Sequence, residues 1–118
     1  MSNALNNLYD VVMSRKELYK NSGLSADEAK KNSYTCYLFS QGENKILKKC
    51  GEECSEMIIA SKNNDNVELK NEIADLMYHI MVLCGEKNLP WSEVEEVLEE
   101  RAKKIGNLKV FHQTDKNS

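Results

Sequence analysis

Three consecutive stretches decide the fold: KILKKCGEECSEMIIASK at 45–62, NNDN at 63–66 and VELKNEIADLMYHIMVLCGEK at 67–87. Both long stretches carry apolar residues at helical spacing, and four polar residues between them suffice only to reverse the chain. The spacing therefore predicts an antiparallel helical hairpin. Turned at about 100° per residue, the first arm gathers Ile46, Leu47, Cys50, Cys54, Met57 and Ile58 on one face, with Glu53 and Glu56 together on its flank. The second arm gathers Leu69, Ile73, Leu76, Ile80 and Leu83, with Glu72 and Asp75 on a flank displaced in the same sense. Counted outward from the turn, Glu56 stands level with Glu72 and Glu53 with Asp75, to within about one residue or ~1.5 Å of rise. The four carboxylates are expected to converge.

Working outward, helices continue in both directions. A first helix is expected over residues 4–20, with Leu5, Leu8, Val12, Met13 and Tyr19 near helical spacing, ended by Asn21-Ser22-Gly23. A polar connector follows over 24–32, with one helical turn at 27–30. Ser33 then caps a short helix through Phe39, which Gly42 breaks. After the hairpin, Leu89-Pro90-Trp91-Ser92 starts a last helix to about residue 105, with Ser92 as its cap and Glu95 completing a capping box. The fold class expected is all-α: a helical bundle of four to five helices around the central hairpin, completed by homodimerisation. One Trp and two Phe give a single chain of 118 residues a thin core, which pairing would supplement. One domain is expected over 1–105, with a polar tail over 106–118 in which only Val110 and Phe111 offer docking.

Composition excludes several function classes. Sixteen basic residues against nineteen acidic ones leave a net charge of −3, which argues against a surface built for nucleic acid or anionic lipid. The start of the chain lacks a basic segment followed by an apolar run, and the longest apolar run, Ile80 to Cys84, is far too short to span a bilayer. Neither a signal peptide nor a membrane span is expected. Cys36, Cys50, Cys54 and Cys84 lack CxxC spacing and sit among apolar residues, as reduced thiols of a cytoplasmic protein would.

Acids three residues apart on a helix are most often solvated, and like charges at that spacing cost roughly 0.2–0.5 kcal/mol per pair. Aiming two such pairs at each other adds to the cost, whereas a divalent cation turns the repulsion into shared ligation. An all-oxygen set selects Mg²⁺, with Mn²⁺ as the alternative, over Zn²⁺. Lys45 and Lys49 lie upstream on the acidic stripe, with Lys48 beside them and Lys62 near the end of the helix; either they support neighbouring acids at i,i+4 or they face a polyphosphate. There is no GxxxxGK[ST] loop. Glu52, one turn below Glu56, is either an exposed surface acid or a group that orients or deprotonates attacking water. His79 follows Asp75 by one turn and reads as a structural hydrogen-bonding residue; His112, in the tail, receives no role.

These residues also carry a resemblance. Ser33-Tyr34-Thr35, Tyr37-Leu38-Phe39, Gly42, Lys45 to Lys49, Gly51-Glu52-Glu53, Glu56 and Ile59-Ala60 closely resemble the phosphoribosyl-ATP pyrophosphohydrolase family of histidine biosynthesis. Lys62-Asn63, Glu72, Ala74-Asp75-Leu76, Tyr78-His79 and Arg101 continue it, so that it spans residues 5–101. The EExxE…ExxD pattern within it is shared with the wider all-α nucleoside triphosphate pyrophosphohydrolase superfamily, while the block 33–49 narrows the substrate. The resemblance implies Mg²⁺-dependent hydrolysis of phosphoribosyl-ATP to phosphoribosyl-AMP and pyrophosphate by a helical homodimer, with sites at or near the subunit interface. It implies Glu53, Glu56, Glu72 and Asp75 as metal ligands, Lys45, Lys48, Lys49 and Lys62 as phosphate contacts, and Tyr34, Thr35 and Asn63 as substrate contacts. Cys54 and Cys84 depart from the pattern, and the residues after Arg101 lie outside it. A fused cyclohydrolase domain found in some relatives would not fit into 118 residues. Two alternatives remain at this point: a housekeeping nucleoside triphosphate pyrophosphohydrolase of the same superfamily, and a non-catalytic helical assembly module.

Overall fold

A computed structural model describes residues 3–106; of the tail expected over 106–118 only Gly106 is described, as the end of the last helix, and Val110, Phe111 and His112 lie outside the described residues. Every element is helical: α1 (Ala4–Ser22), α2 (Ala26–Asn32), α3 (Tyr34–Gln41), α4 (Glu43–Lys62), α5 (Asn66–Glu86) and α6 (Trp91–Gly106). The all-α reading holds, and the predicted hairpin is α4 and α5, the most extensively packed pair of elements.

Local chemistry sets the boundaries. Asn3 caps α1 by accepting from Asn6 N–H, and Gly23, at φ 69°, closes the helix in the left-handed region that a side chain would disfavour. Ser33 accepts from Cys36 N–H at the start of α3, as its sequence context predicts. Asp65 accepts from Glu68 N–H at the start of α5, just after Asn64 turns the chain at φ 56°.

Two boundaries differ from expectation. The connector expected to hold one turn is a seven-residue helix, α2, because Ser25 and Glu28 form a reciprocal capping box that satisfies both of their backbone N–H groups. At the other end, α6 opens at Trp91, with the Pro90 carbonyl accepting from Glu93 N–H at 3.1 Å. Proline is preorganised to start a helix, so Ser92 falls inside the first turn instead of capping it. Glu95 receives Asn3 Nδ2–H at 3.4 Å.

The core lies at one end of the hairpin, where α1, α3 and α6 reach it: Val12, Leu38, Phe39, Ile46, Met81, Val82, Cys84 and Trp91 are buried together. Gly85 permits close packing there: a Cβ would stand 3.1 Å from Phe39 and 3.3 Å from Met13 Sδ, so those side chains would have to give by a few tenths of an ångström. Lys16 Nζ–H donates to the Gly85 carbonyl at 2.7 Å and to Asn88 Oδ1 at 2.8 Å, and Tyr9 O–H donates to the Leu89 carbonyl at 3.0 Å. These bonds strap α1 to the α5–α6 connection.

The apolar faces expected to be core are only partly covered. Ile58 and Ile73 are exposed, and Ile59 and Val67 beside them more so, because no other described helix reaches that end of the hairpin; Leu47 is exposed too, although its neighbour Ile46 is fully buried at the base. On α5 the fully covered residues are Met81 and Val82, not the expected Leu76, Ile80 and Leu83, which are half-buried. No described helix is long and apolar enough to cross a membrane.

Candidate active site

The hairpin brings three of the four predicted acids together. One carboxylate oxygen each from Glu53, Glu56 and Glu72 lies within 4.8 Å of the others. Asp75, one turn further along α5, is exposed and stands outside this trio, yet its charge reaches Glu72. Glu53 is only 7 % exposed. Its Oε2 and Glu72 Oε2 are buried without a hydrogen-bond partner. A buried carboxylate oxygen left without a donor is costly. Their donor set is all oxygen, drawn from both arms of the hairpin, and it fits a hard divalent cation. Without one, the carboxyl of Glu72 is pushed up to about 7, first by a hydrogen bond shared with Glu56, then by burial, then by the charges of Glu56, Glu53 and Asp75.

Of the predicted cations, Lys49 is the one held at the acids, with its ammonium 3.4 Å from Glu52 and 3.6 Å from Glu53. Burial opposes its charge, but Tyr34, Glu52 and Glu53 outweigh burial and hold its pKa above the usual value. Lys45 is half-buried, and Lys48 and Lys62 are exposed. None of these three makes an ion pair among the described residues. Glu52 is the partner of Lys49 and does not join the trio.

Helix α3 supplies the opposite rim. Tyr34, 46 % exposed, shares a hydrogen bond of 3.0 Å with His79 Nε2, and Thr35 hydrogen-bonds to the Tyr78 hydroxyl. Tyr34 stacks on Tyr78 at 6.1 Å between ring centroids. Burial raises the Tyr34 hydroxyl pKa, Lys49 counters it, and Glu53 and Glu52 add to it, so the ring belongs to the electrostatic field of the acids. His79 is buried and bonded through both ring nitrogens, as its reading as a structural residue anticipates.

Beside the trio toward the turn is a depression of about 200 Å³ lined by Glu56, Ile59, Ala60, Asn63, Glu68 and Glu72. The predicted substrate contact Asn63 lies in it. Glu68 was missed; its signal was the stripe Glu68–Glu72 at i,i+4 that extends the acidic flank by one turn. Arg101 lines a separate depression of about 390 Å³ on α6, with Glu96, Val97, Glu100 and Lys104. The cysteines are free thiols. Burial and the neighbouring Cys84 push the Cys50 thiol up, which keeps it in the unreactive protonated form.

Comparison with known proteins gives a consistent result. A family model described as phosphoribosyl-ATP pyrophosphohydrolase matches residues 15–102. A protein of Bacillus cereus named phosphoribosyl-ATP pyrophosphatase is 49 % identical over 108 residues, covering 92 % of each chain. One of the same name from Listeria welshimeri is 50 % identical over 105 residues, covering 89 % of this chain and 91 % of that one. A third, from Bacillus anthracis, is 54 % identical over 86 residues, covering 70 % of this chain and 80 % of its own.

Proposed function

The chain belongs to the phosphoribosyl-ATP pyrophosphohydrolase family, and we propose that it hydrolyses phosphoribosyl-ATP to phosphoribosyl-AMP and pyrophosphate, the second step of histidine biosynthesis, at the carboxylates of the α4–α5 hairpin. The observation that carries the chemistry is the convergence of Glu53, Glu56 and Glu72, two of them with orphaned buried oxygens. Similarity over nearly the whole chain to proteins named for this substrate favours it over general clearance of nucleoside triphosphates.

In this reading Glu53, Glu56 and Glu72 hold Mg²⁺, which Mn²⁺ can replace, with Asp75 as a further ligand from the next turn of α5. A divalent cation bound there supplies charge neutralisation on phosphate oxygens and acidifies bound water. The chain's own groups do the rest. Lys49, already paired with Glu52 and Glu53, exchanges part of that pairing for the departing pyrophosphate, and Lys45, Lys48 and Lys62 add positive charge along α4. Glu52 orients the attacking water or accepts its proton, and it is freed for this when Lys49 turns to phosphate. Tyr34, Thr35 and Asn63 contact the nucleotide.

The reading extends to a homodimer in the cytoplasm. Exposed Ile58, Ile59, Val67 and Ile73 on the hairpin support pairing with a second copy, since large apolar side chains clustered at one end of a helix pair commonly mark an association surface. The test is direct. Purified protein given phosphoribosyl-ATP and Mg²⁺ is expected to release pyrophosphate and to be silenced by chelation. Faster turnover of an ordinary nucleoside triphosphate would move the assignment to the housekeeping alternative.

A further inference from the structure

His79 is buried at 5 % exposure, and both of its ring nitrogens are engaged. Nδ1 lies 2.7 Å from the main-chain carbonyl of Asp75, an oxygen that can only accept, so the ring proton sits on Nδ1. With the proton on Nδ1, the lone pair at Nε2 accepts the Tyr34 hydroxyl proton across 3.0 Å. The two rings meet edge to face, at 76° and 5.8 Å between centroids. With its only proton committed inward, the Tyr34 oxygen presents lone pairs alone to the rim of the site, where Lys49 influences it.

We propose that His79 is a positioning residue which, by taking up the Tyr34 hydroxyl proton in a hydrogen bond, makes the Tyr34 oxygen a pure acceptor on the rim of the carboxylate site, where it reads an O–H or N–H donor of the nucleotide. An ionised phosphate has no such proton to offer, so the contact falls on a sugar hydroxyl or a base N–H. It therefore acts on nucleotide recognition and leaves the chemical step alone. This inference rests on the phosphoribosyl-ATP reading for the identity of the nucleotide, and on the hairpin and α3 for its geometry.

Three single variants and one double variant separate positioning from simple structural support. An Asn amide reproduces the Nδ1 position and keeps the Asp75 tie but loses Tyr34, whereas a Gln amide reaches the Nε2 position and can still accept the hydroxyl. His79→Asn and Tyr34→Phe are each expected to raise KM by roughly three- to tenfold, the worth of one hydrogen bond, with kcat within about twofold. His79→Gln restores KM, and the double variant Tyr34→Phe with His79→Asn is no worse than either single one. Additive losses, or a loss of stability in His79→Asn with KM unchanged, overturn the proposal. Substrate analogues locate the donor. Across analogues lacking each ribose hydroxyl or base N–H in turn, one that already suffers the KM penalty with the natural protein and none further with Tyr34→Phe identifies the donor and supports the inference; if Tyr34→Phe penalises every analogue as much as the parent, no donor meets Tyr34 and the inference falls. The ring ¹⁵N shifts of His79 at alkaline pH, assigned by comparison with His79→Gln, need no substrate. An Nδ1–H tautomer is expected, and an Nε2–H tautomer refutes the proposal even if pyrophosphate release is as proposed.

Discussion

The two ends of the α4–α5 hairpin obey different rules. At the base, α1, α3 and α6 surround it, and Ile46, Met81 and Val82 are completely buried. Toward the turn the same two helices run bare, with Ile58 54 %, Ile59 58 % and Val67 67 % exposed. The carboxylate trio stands at the junction, with Glu53 on the covered side and Glu56 open to solvent. Packing at the base ties both arms of the hairpin to α1 and α3. The turn end is left with large apolar side chains and a carboxylate facing solvent.

The sharpest way to test this division is to cut into both ends. Met81→Ala, at a site with no exposure, is expected to cost about 2–5 kcal/mol in chemical denaturation, because it removes buried side-chain volume from the core cluster. A cost below about 1 kcal/mol would show that the base is not the tightly packed half. Next in size is the loss expected at the junction. Glu56→Gln should reduce pyrophosphate release at least about 100-fold while leaving the fold intact or slightly more stable, since it removes repulsion toward Glu72. Unchanged Mg²⁺ affinity in titration calorimetry would instead favour a non-catalytic module.

At the turn end Ile59→Asp is expected to weaken association of two chains about tenfold or more in sedimentation, with little change in single-chain stability, because a charge would have to be buried at the contact. If sedimentation is unaffected, that end has no second copy upon it. The smallest effect is in pH. Glu72 is raised from an ordinary 4.5 to about 7, so between those values the folded protein binds more protons at this group than the unfolded chain. Its contribution to stability is therefore complete below about 4.5 and is lost as pH rises through about 7, a slope measurable in metal-free protein by thermal melting. Glu72→Gln should remove that slope. A melting temperature that rises with pH through this window in the natural protein would contradict the shared proton.

The same division explains what was legible in the sequence. Caps and breaks are local, so Ser33, Gly23, Gly42 and the hairpin turn could be read from a few neighbouring residues. Helix α2 was equally local, in Ser25 and Glu28, but its high polarity disguised it as a connector. Periodicity also found the acids, because both arms obey it and the turn fixes their heights. Which part of an apolar stripe ends up covered depends on where α1, α3 and α6 dock, and Ile58 and Ile73 gave no sign that nothing would reach them. The Tyr34–His79 bond spans 45 residues of sequence, and no spacing rule connects a short helix to the middle of a long one across that distance. Among the lysines, side-chain reach decided that Lys49 meets the acids, which helical angle alone did not resolve for Lys45 or Lys48.

The trio draws two of its members from α4 and one from α5, so occupancy of the site and closure of the hairpin share one thermodynamic cycle. Any cation that engages all three clasps the arms, and by linkage adds about 2.7 kcal/mol at a hundred times its dissociation constant. With such a cation bound, the heat resistance of this protein would report how fully the site is filled.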